Sequence, residues 1–431
     1  MITKEANHGP KLFLDRDLLS KLPNGVAKEL SSRGLTTSGH IEKASFVGLM
    51  MVDNESYVFL PRGSNLDVQE DHVINASNTL KAVEKYSRIS KTKIDLFDEG
   101  KGERKLNKLS LIRNLLDDFR QNGIYTKRTI NKLNFGKTDW KKTVNKISPY
   151  PGIGGNPVYL DTYGSKKRYF NDCEIAVIHA HIISKLDNRF SWLVTGNLKP
   201  LAPELIEYGS PKGDSNYQLS RLKNELSQTY SDRDINLLKL LILYIKLEAG
   251  SDQSNLVIGL SNFHFCWEYM LGQVLKHTVS LNNKLPAPAY VDIDDNVLTA
   301  NEKSMRTDII LHDKGTQQCT VADAKYYAAT TVRNAPGWGD IVKQLFYEKA
   351  LSKLDIDWKI KNAFIFPGCE PYLAKAKIRD RVNSTKSNHV FIDEFEPIHC
   401  YYANPMEVIS KFNTGSNKLE ELSEALIKHK D

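Results

Sequence analysis

Residues 306–325 read RTDIILHDKGTQQCTVADAK, and this segment sets the expected architecture of the C-terminal half of the chain. Two apolar runs flank a turn at Asp313-Lys314-Gly315, a pattern that predicts a β-hairpin. Side chains alternate along a strand, so Asp323 and Lys325 share one face. Antiparallel pairing puts Asp308, at the start of the first strand, beside the end of the second. The segment therefore predicts two carboxylates and an ammonium at one sheet edge.

These three groups suit the hydrolysis of a phosphodiester. Carboxylate oxygens are the ligands that Mg²⁺ prefers, and a bound Mg²⁺ polarises a phosphate and acidifies a water molecule. A lysine ammonium beside that water favours hydroxide and stabilises the charge that develops at phosphorus. Each residue type alone says little, because an Asp at a strand end is usually a turn cap. The prediction depends on the combination.

Two helices that flank the hairpin add candidates. Glu268 lies in a predicted helix over Phe263–Lys276, before the hairpin. Gln344 and Tyr347 lie in a predicted helix over Ile341–Leu354, after it. Residues three apart share a helix face, so Gln344 and Tyr347 are expected on the same side. Taken singly, Glu268 and Gln344 would each be interpreted as an ordinary surface residue of a helix.

The remaining chain divides into regions of different character. Residues 45–61, SFVGLMMVDNESYVFLP, contain two apolar runs around Asp53-Asn54, which predicts a hairpin in a small β-rich module over residues 1–95. Residues 172–250 read as a helical connecting region. Residues 251–431 alternate between helix and strand, which predicts a mixed α/β domain.

A basic block lies between these regions. Between Lys101 and Tyr150, thirteen Lys and Arg stand against four Asp and Glu, more net charge than the +7 of the whole chain. Such a block is typical of phosphate contact, although a solvated basic face has the same composition. A helix over residues 106–119, shorter helices near Lys127 and Trp140, and a hairpin around Gly164-Ser165 outline a winged-helix-like region over residues 96–171. We predict DNA contacts from Lys127, Arg128, Lys137, Lys141 and Lys142.

Composition excludes several classes of protein. The most apolar stretch, Ile235–Leu247, contains two lysines and is shorter than the roughly 20 residues of a membrane helix. The first fifteen residues lack the apolar segment of a signal peptide. The five cysteines are scattered without CxxC spacing, which favours reduced thiols. We therefore expect a cytoplasmic protein that makes no membrane contact.

The hairpin motif resembles a known nuclease signature. Thr307-Asp308, fourteen further residues, and then Asp323-Ala324-Lys325 resemble the PD-(D/E)xK pattern, with Thr307 where proline is usual. The helix with Gln344 and Tyr347 is similar to the QxxxY extension of that superfamily, one residue shorter in its spacing. The Asp-Ala-Lys-Tyr form is also similar to McrC, the nuclease subunit of McrBC restriction systems.

A longer resemblance is to the LlaJI family of restriction endonucleases. It includes Phe46-Val47-Gly48, Val58–Pro61, the segment with Asp139-Trp140 and the C-terminal core. The resemblance implies a restriction-endonuclease-like core in which Asp308 and Asp323 bind Mg²⁺ and Lys325 is the catalytic lysine. By the same resemblance, Glu268 is an accessory acid and Gln344 supports the site.

The family resemblance also implies partners. The resemblance to McrC implies that the partner is an AAA+ GTPase ring, an McrB-like motor. The chain itself has no convincing P-loop, because Gly136-Lys137-Thr138 lacks the earlier glycine of that motif. The expected role is therefore the cutting of double-stranded DNA as one subunit of a restriction system, with the N-terminal module docking on the motor. Two alternatives stay open: a stand-alone nuclease that needs no motor, and a DNA-binding module whose nuclease fold is inactive.

Overall fold

The computed structural model describes residues 9–53, 55–67, 69–89, 103–134, 137–170, 173–250, 256–300, 304–355, 357–415 and 418–428. These residues divide into two compact units. The core unit contains the described residues of His8–Leu106 and Asn255–Asp431. The inserted unit contains the described residues of Asn107–Ser254.

The regular elements are numbered in chain order. The helices are α1 (Asn24–Ser32), α2 (His72–Ile89), α3 (Glu103–Asn122), α4 (Trp140–Lys146), α5 (Glu174–Phe190), α6 (Trp192–Thr195), α7 (Ser215–Gln228), α8 (Asp232–Gly250), α9 (Phe263–Val274), α10 (Trp338–Leu351), α11 (Pro405–Thr414) and α12 (Glu420–Ile427). The strands are β1 (Lys11–Leu14), β2 (Val47–Val52), β3 (Glu55–Leu60), β4 (Lys127–Leu133), β5 (Lys137–Thr138), β6 (Tyr150–Pro151), β7 (Pro157–Val158), β8 (Tyr163–Phe170), β9 (Val257–Leu260), β10 (Ala289–Val291), β11 (Val297–Thr299), β12 (Ile309–Asp313), β13 (Gln318–Ala324), β14 (Lys359–Pro367), β15 (Lys375–Ala376) and β16 (Ile398–Ala403).

A five-stranded sheet forms the centre of the core unit, in the order β12-β13-β14-β16-β15. The predicted hairpin is confirmed, because β12 and β13 pair antiparallel with Ile309 opposite Ala322. Strands β13, β14 and β16 run parallel, so their carboxyl ends meet at one edge. This helix-and-strand alternation confirms the predicted mixed α/β class.

Alternate residues of these strands enter different cores. Leu311 and Ala322 pack with Trp267 of α9 in an apolar cluster, which α11 and α12 also line. Ile310 and Val321 instead pack with residues of α10. Helices therefore cover both faces of the sheet, as the parallel strands require. Because side chains alternate, Asp323 lies on the same face as Val321, towards α10.

The predicted N-terminal hairpin is also confirmed, and it belongs to a larger sheet. Strands β2 and β3 pair antiparallel within the order β1-β3-β2-β9. Strand β9 comes from the C-terminal half, so the structure groups the predicted N-terminal module with the predicted nuclease region in one unit. A side chain at Gly48 would collide with the Ile258 carbonyl, which explains glycine at this close strand crossing. The module's predicted docking role stays a prediction.

The inserted unit departs from the winged-helix outline in two places. The helix predicted near Lys127 is wrong, because residues 127–133 form β4, whose β-branched Thr129 and Ile130 suit a strand. The hairpin predicted at Gly164-Ser165 is also wrong, because both residues lie inside β8. Strand β8 pairs with β4 and β5, so its partners are distant in sequence. The predicted helix that starts at Trp140 is confirmed as α4.

In the part of the chain that the structure describes, no helix is long and apolar enough to cross a membrane.

Helix α5 of the inserted unit buries a histidine in neutral form. His179 Nδ1 accepts a hydrogen bond from the Tyr125 backbone N–H at 3.0 Å, and the Phe119 ring meets the imidazole edge-on. Burial, with a smaller contribution from the Arg233 charge, lowers the pKa of His179 from 6.5 to about 3. Protonation would place an unsolvated charge in the core and remove the acceptor for Tyr125.

We expect His179 to make the inserted unit sensitive to acid. Between pH 6.5 and about 3 the unfolded chain binds a proton at this imidazole and the folded chain does not, so falling pH favours unfolding. In wild type, the free energy of unfolding should fall by up to about 1.4 kcal/mol per pH unit below pH 6.5 because of His179. In chemical denaturation, His179→Gln should lack this contribution to the pH slope. The same substitution at exposed His40 is the control. Equal pH slopes for wild type and His179→Gln would contradict the expectation.

Candidate active site

The two predicted acidic residues lie side by side at the carboxyl edge of the parallel strands. Asp323 is the second-last residue of β13, and Asp308 immediately precedes β12 on the antiparallel neighbour. The two side chains share a hydrogen bond, and the Ala324 backbone N–H donates to Asp308 Oδ2 at 3.0 Å. The structure therefore brings these carboxylates together as the hairpin pattern predicts.

Their closeness and burial make the pair electrostatically costly. Burial is the largest cause that raises the pKa of Asp308 to about 8, and the hydrogen bond and charge of Asp323 add to it. Asp323 is only 4% exposed, and its Oδ2 atom receives no hydrogen bond within the described residues. That oxygen forms an ion pair with Lys325 Nζ at 2.9 Å. The pair therefore favours a nearby cation.

Lys325 supplies one cation and is fixed by two carboxylates. Its Nζ atom lies 2.9 Å from Asp323 Oδ2 and 2.7 Å from Asp340 Oδ1, and its side chain is 12% exposed. Burial opposes the charged form, but the two carboxylates outweigh it and raise the pKa of Lys325. The Lys325 backbone N–H donates to the Ile365 carbonyl of β14 at 3.0 Å. The ammonium is therefore held charged at a defined place.

Helix α10 presents a stripe of residues to this edge. Asp340, Lys343, Gln344 and Tyr347 have the spacing of one helix face. Buried Gln344 donates to the Val321 carbonyl at 2.7 Å and, more weakly, to the Ala363 carbonyl at 3.4 Å. Gln344 thus ties α10 to β13 and β14.

Tyr347 ties the same helix to the segment that precedes β12. Its hydroxyl donates to the Arg306 carbonyl, two residues before Asp308. The shorter spacing from Gln344 therefore leaves Tyr347 facing the sheet edge. This contact fixes the approach of the chain to Asp308.

Glu268 lies on α9. It is partly buried, and burial is the largest cause that raises its pKa. The Asp323 charge raises the pKa further, while Arg306 lowers it. Glu268 therefore shares an electrostatic environment with the acidic pair, and its catalytic role stays a prediction.

Two residues of the site escaped the sequence reasoning. Asp340 forms the second ion pair of Lys325, and Lys343 stands near the acidic pair with its Nζ 5.3 Å from the centre of the Tyr347 ring. Burial opposes the charged form of Lys343, but Asp323 and other nearby groups raise its pKa. A signal existed, because Asp340 lies one helical turn before Gln344.

The site fits a magnesium ion held by few protein ligands. Among the described residues, no group of three or more His, Cys, Asp or Glu could hold a metal ion. Mg²⁺ commonly takes one or two carboxylates and completes its shell with water and substrate phosphate. Asp308 and Asp323 offer such a pair, and Lys325 lies 2.9 Å from Asp323 Oδ2 on the same edge.

The predicted DNA contacts differ in availability. Lys127 forms an ion pair with Glu225 at 2.6 Å, so its charge is already matched. Lys137, Lys141 and Lys142 are exposed. The side chain of Arg128 lies outside the described part of the structure. These three exposed lysines are therefore the strongest remaining candidates for phosphate contact.

The sequence is similar to known proteins over most of its length. YdjA, a component of the type II restriction enzyme BsuMI of Bacillus subtilis, is 29% identical over 341 residues, which cover 75% of this chain and 72% of that protein. A chain of the solved half-complex of Thermococcus gammatolerans McrB AAA+ hexamers with bound McrC aligns at 14% identity and a TM-score of 0.39, over 95% of this chain and 99% of that one. The sequence model of the LlaJI restriction endonuclease family matches residues 46–392. The chain therefore belongs to the LlaJI restriction endonuclease family.

Proposed function

We propose that this chain is the Mg²⁺-dependent DNA-cleaving subunit of a restriction system, and that its C-terminal region is a PD-(D/E)xK nuclease core. Family membership implies a DNA nuclease. The observation that carries the finer proposal is the adjacency of Asp308, Asp323 and Lys325 at one sheet edge.

In this proposal each residue has a distinct task. Asp308 and Asp323 would hold Mg²⁺, which when bound polarises the scissile phosphate and acidifies water. Lys325, kept charged by Asp323 and Asp340, stabilises the negative charge that develops at phosphorus and lowers the pKa of the attacking water. Lys343 adds a second cation on the same side. Gln344 and Tyr347 hold α10 against the strands that carry the acidic pair.

Lys325 is the sharpest test of this assignment. We expect Lys325→Ala to lower the single-turnover rate of DNA cleavage by about 100-fold to 1,000-fold, because a preorganised charge at the transition state is removed. DNA affinity should stay near the wild-type value, since the side chain is largely buried. Lys349→Ala, an exposed lysine on the same helix as Asp340, is the matched control. Cleavage retained by Lys325→Ala would overturn the assignment.

We also propose that the subunit acts with an McrB-like AAA+ GTPase motor. Two observations support this: the Asp-Ala-Lys-Tyr motif is similar to that of McrC, and the relative YdjA is a component of its restriction enzyme. The N-terminal β strands would then dock on the motor.

A plasmid cleavage assay separates the three possible roles. We expect cleavage in Mg²⁺ by wild type and none by Asp323→Ala, and we expect it to require both a candidate GTPase subunit from the same genome and GTP. Wild-type cleavage without the GTPase would favour a stand-alone nuclease. Absence of cleavage under every condition, on methylated and unmethylated plasmid, would favour a DNA-binding module with an inactive nuclease fold.

The inserted unit is proposed to bind duplex DNA through exposed lysines. Replacing Lys137, Lys141 and Lys142 together with Ala should weaken binding and flatten its salt dependence, by about 0.9 in the log–log slope for each phosphate that is no longer neutralised. Lys127→Ala should change the slope less, because Glu225 already neutralises that charge. Fluorescence anisotropy at several salt concentrations measures both effects.

The control for this experiment keeps the net charge equal. A triple Ala variant at exposed lysines elsewhere in the same unit should leave the slope unchanged; those positions are Lys199, Lys212 and Lys223. Equal slopes for both triple variants would exclude the segment from Lys137 to Lys142 as the DNA contact.

A further inference from the structure

Tyr326, the residue after Lys325, is hydrogen-bonded by Arg62 in the segment that follows strand β3. Arg62 follows β3, and its backbone N–H donates to the Tyr326 hydroxyl oxygen at 2.9 Å. Its guanidinium Nη1 donates to the Tyr326 backbone carbonyl at 3.0 Å, and the guanidinium carbon lies 5.8 Å from the centre of the ring. Arg62 therefore holds both the side chain and the backbone of this residue.

A buried aspartate completes the contact. Asp15 is only 3% exposed, and its Oδ1 atom accepts the Phe46 backbone N–H at 3.1 Å. The Tyr326 hydroxyl and the charges of Arg16 and Arg62 all act on the same carboxylate. Arg62, Tyr326 and Asp15 thus form one polar cluster.

The polar cluster of Arg62, Tyr326 and Asp15 holds the backbone just beyond the end of β13. Strand β13 ends at Ala324, so Lys325 is one residue beyond it. On one side, the Lys325 N–H donates to the Ile365 carbonyl. On the other side, Arg62 donates to the carbonyl of Tyr326. The place of the Lys325 ammonium therefore depends on both contacts, because its side chain starts from this backbone.

Packing alone does not account for these groups. A partly buried arginine beside a buried aspartate costs more free energy than apolar side chains of similar volume. The Arg62 Nε atom is itself buried without a hydrogen bond in the described part of the chain. An apolar residue could fill the space, but only a donor at this place fixes the Tyr326 carbonyl.

We propose that Arg62 and Asp15 are positioning residues for the catalytic lysine, acting through Tyr326. The proposal rests on the proposed function of Lys325. It makes the N-terminal sheet a working part of the nuclease site, in addition to any docking role. A partner that shifted the end of β3 would then change the cleavage rate through Arg62.

The first test reads the backbone and needs no DNA cleavage. Hydrogen exchange of the Lys325 amide, followed by mass spectrometry on the full chain, should quicken roughly fivefold to tenfold in Arg62→Met, as expected when one hydrogen bond is removed. Tyr326→Phe, which keeps the ring and should disturb folding least, should have the same direction of effect. Asp15→Ala removes the carboxylate beside the Tyr326 hydroxyl and should quicken the exchange in the same direction. Arg33→Met, which removes the partly buried Arg33–Glu29 ion pair of α1, is the matched control.

The second test reads the chemistry in the same variants. Arg62→Met, Tyr326→Phe and Asp15→Ala should each lower the single-turnover cleavage rate and leave DNA affinity unchanged. Unchanged exchange at Lys325, or faster exchange with an unchanged cleavage rate, overturns the proposal. If wild type cleaves no DNA, the proposed function has failed, and the exchange result alone decides whether Arg62 fixes the Lys325 backbone.

Discussion

Asp308 and Asp323 are buried side by side, and two carboxylates in hydrogen-bond contact cannot both be charged at low cost without a cation. Much of the surrounding structure answers this constraint. Lys325 lies against Asp323 and is kept charged by a third carboxylate, Asp340, from α10. Helix α10 is in turn fastened to the strands by Gln344. A site that strains its own acids in this way is suited to a divalent cation, which would relieve the strain on binding.

The two compact units carry different chemistry. The core unit contains the acidic pair, its lysine and the two sheets that position them. The inserted unit carries exposed lysines on α4 and β5 but matches Lys127 with Glu225. A restriction endonuclease must hold a long polyanion and cut it at one place, and the first task needs many weak, salt-sensitive contacts. The second needs a few groups fixed to within a fraction of an ångström. In the proposed function, the exposed surface lysines would serve the first demand and the buried site would serve the second.

Local sequence patterns predicted what depends on local structure. The hairpin of β12 and β13, with Asp308 beside Asp323, follows from alternation and turn chemistry within twenty residues. The pairing of β2 with β9 was out of reach, because no local pattern tells which distant strand is a neighbour. The same limit explains β4, where tertiary pairing with β8 overrides the expected helix. Asp340 was missed because its meaning lies in an ion pair with Lys325, not in its spacing alone.

The pairing of β2 with β9 has a consequence for synthesis on the ribosome. More than two hundred residues separate Met50 from Val257, which lie opposite each other in this sheet. The sheet that ends just before Arg62 therefore stays incomplete until the whole inserted unit has been translated. Closing so long a loop carries an entropic cost. A chain that terminates within residues 107–254 leaves β2 with an open edge, the kind of edge that promotes aggregation. The core unit can therefore complete this sheet only after translation has passed Leu260, the last residue of β9.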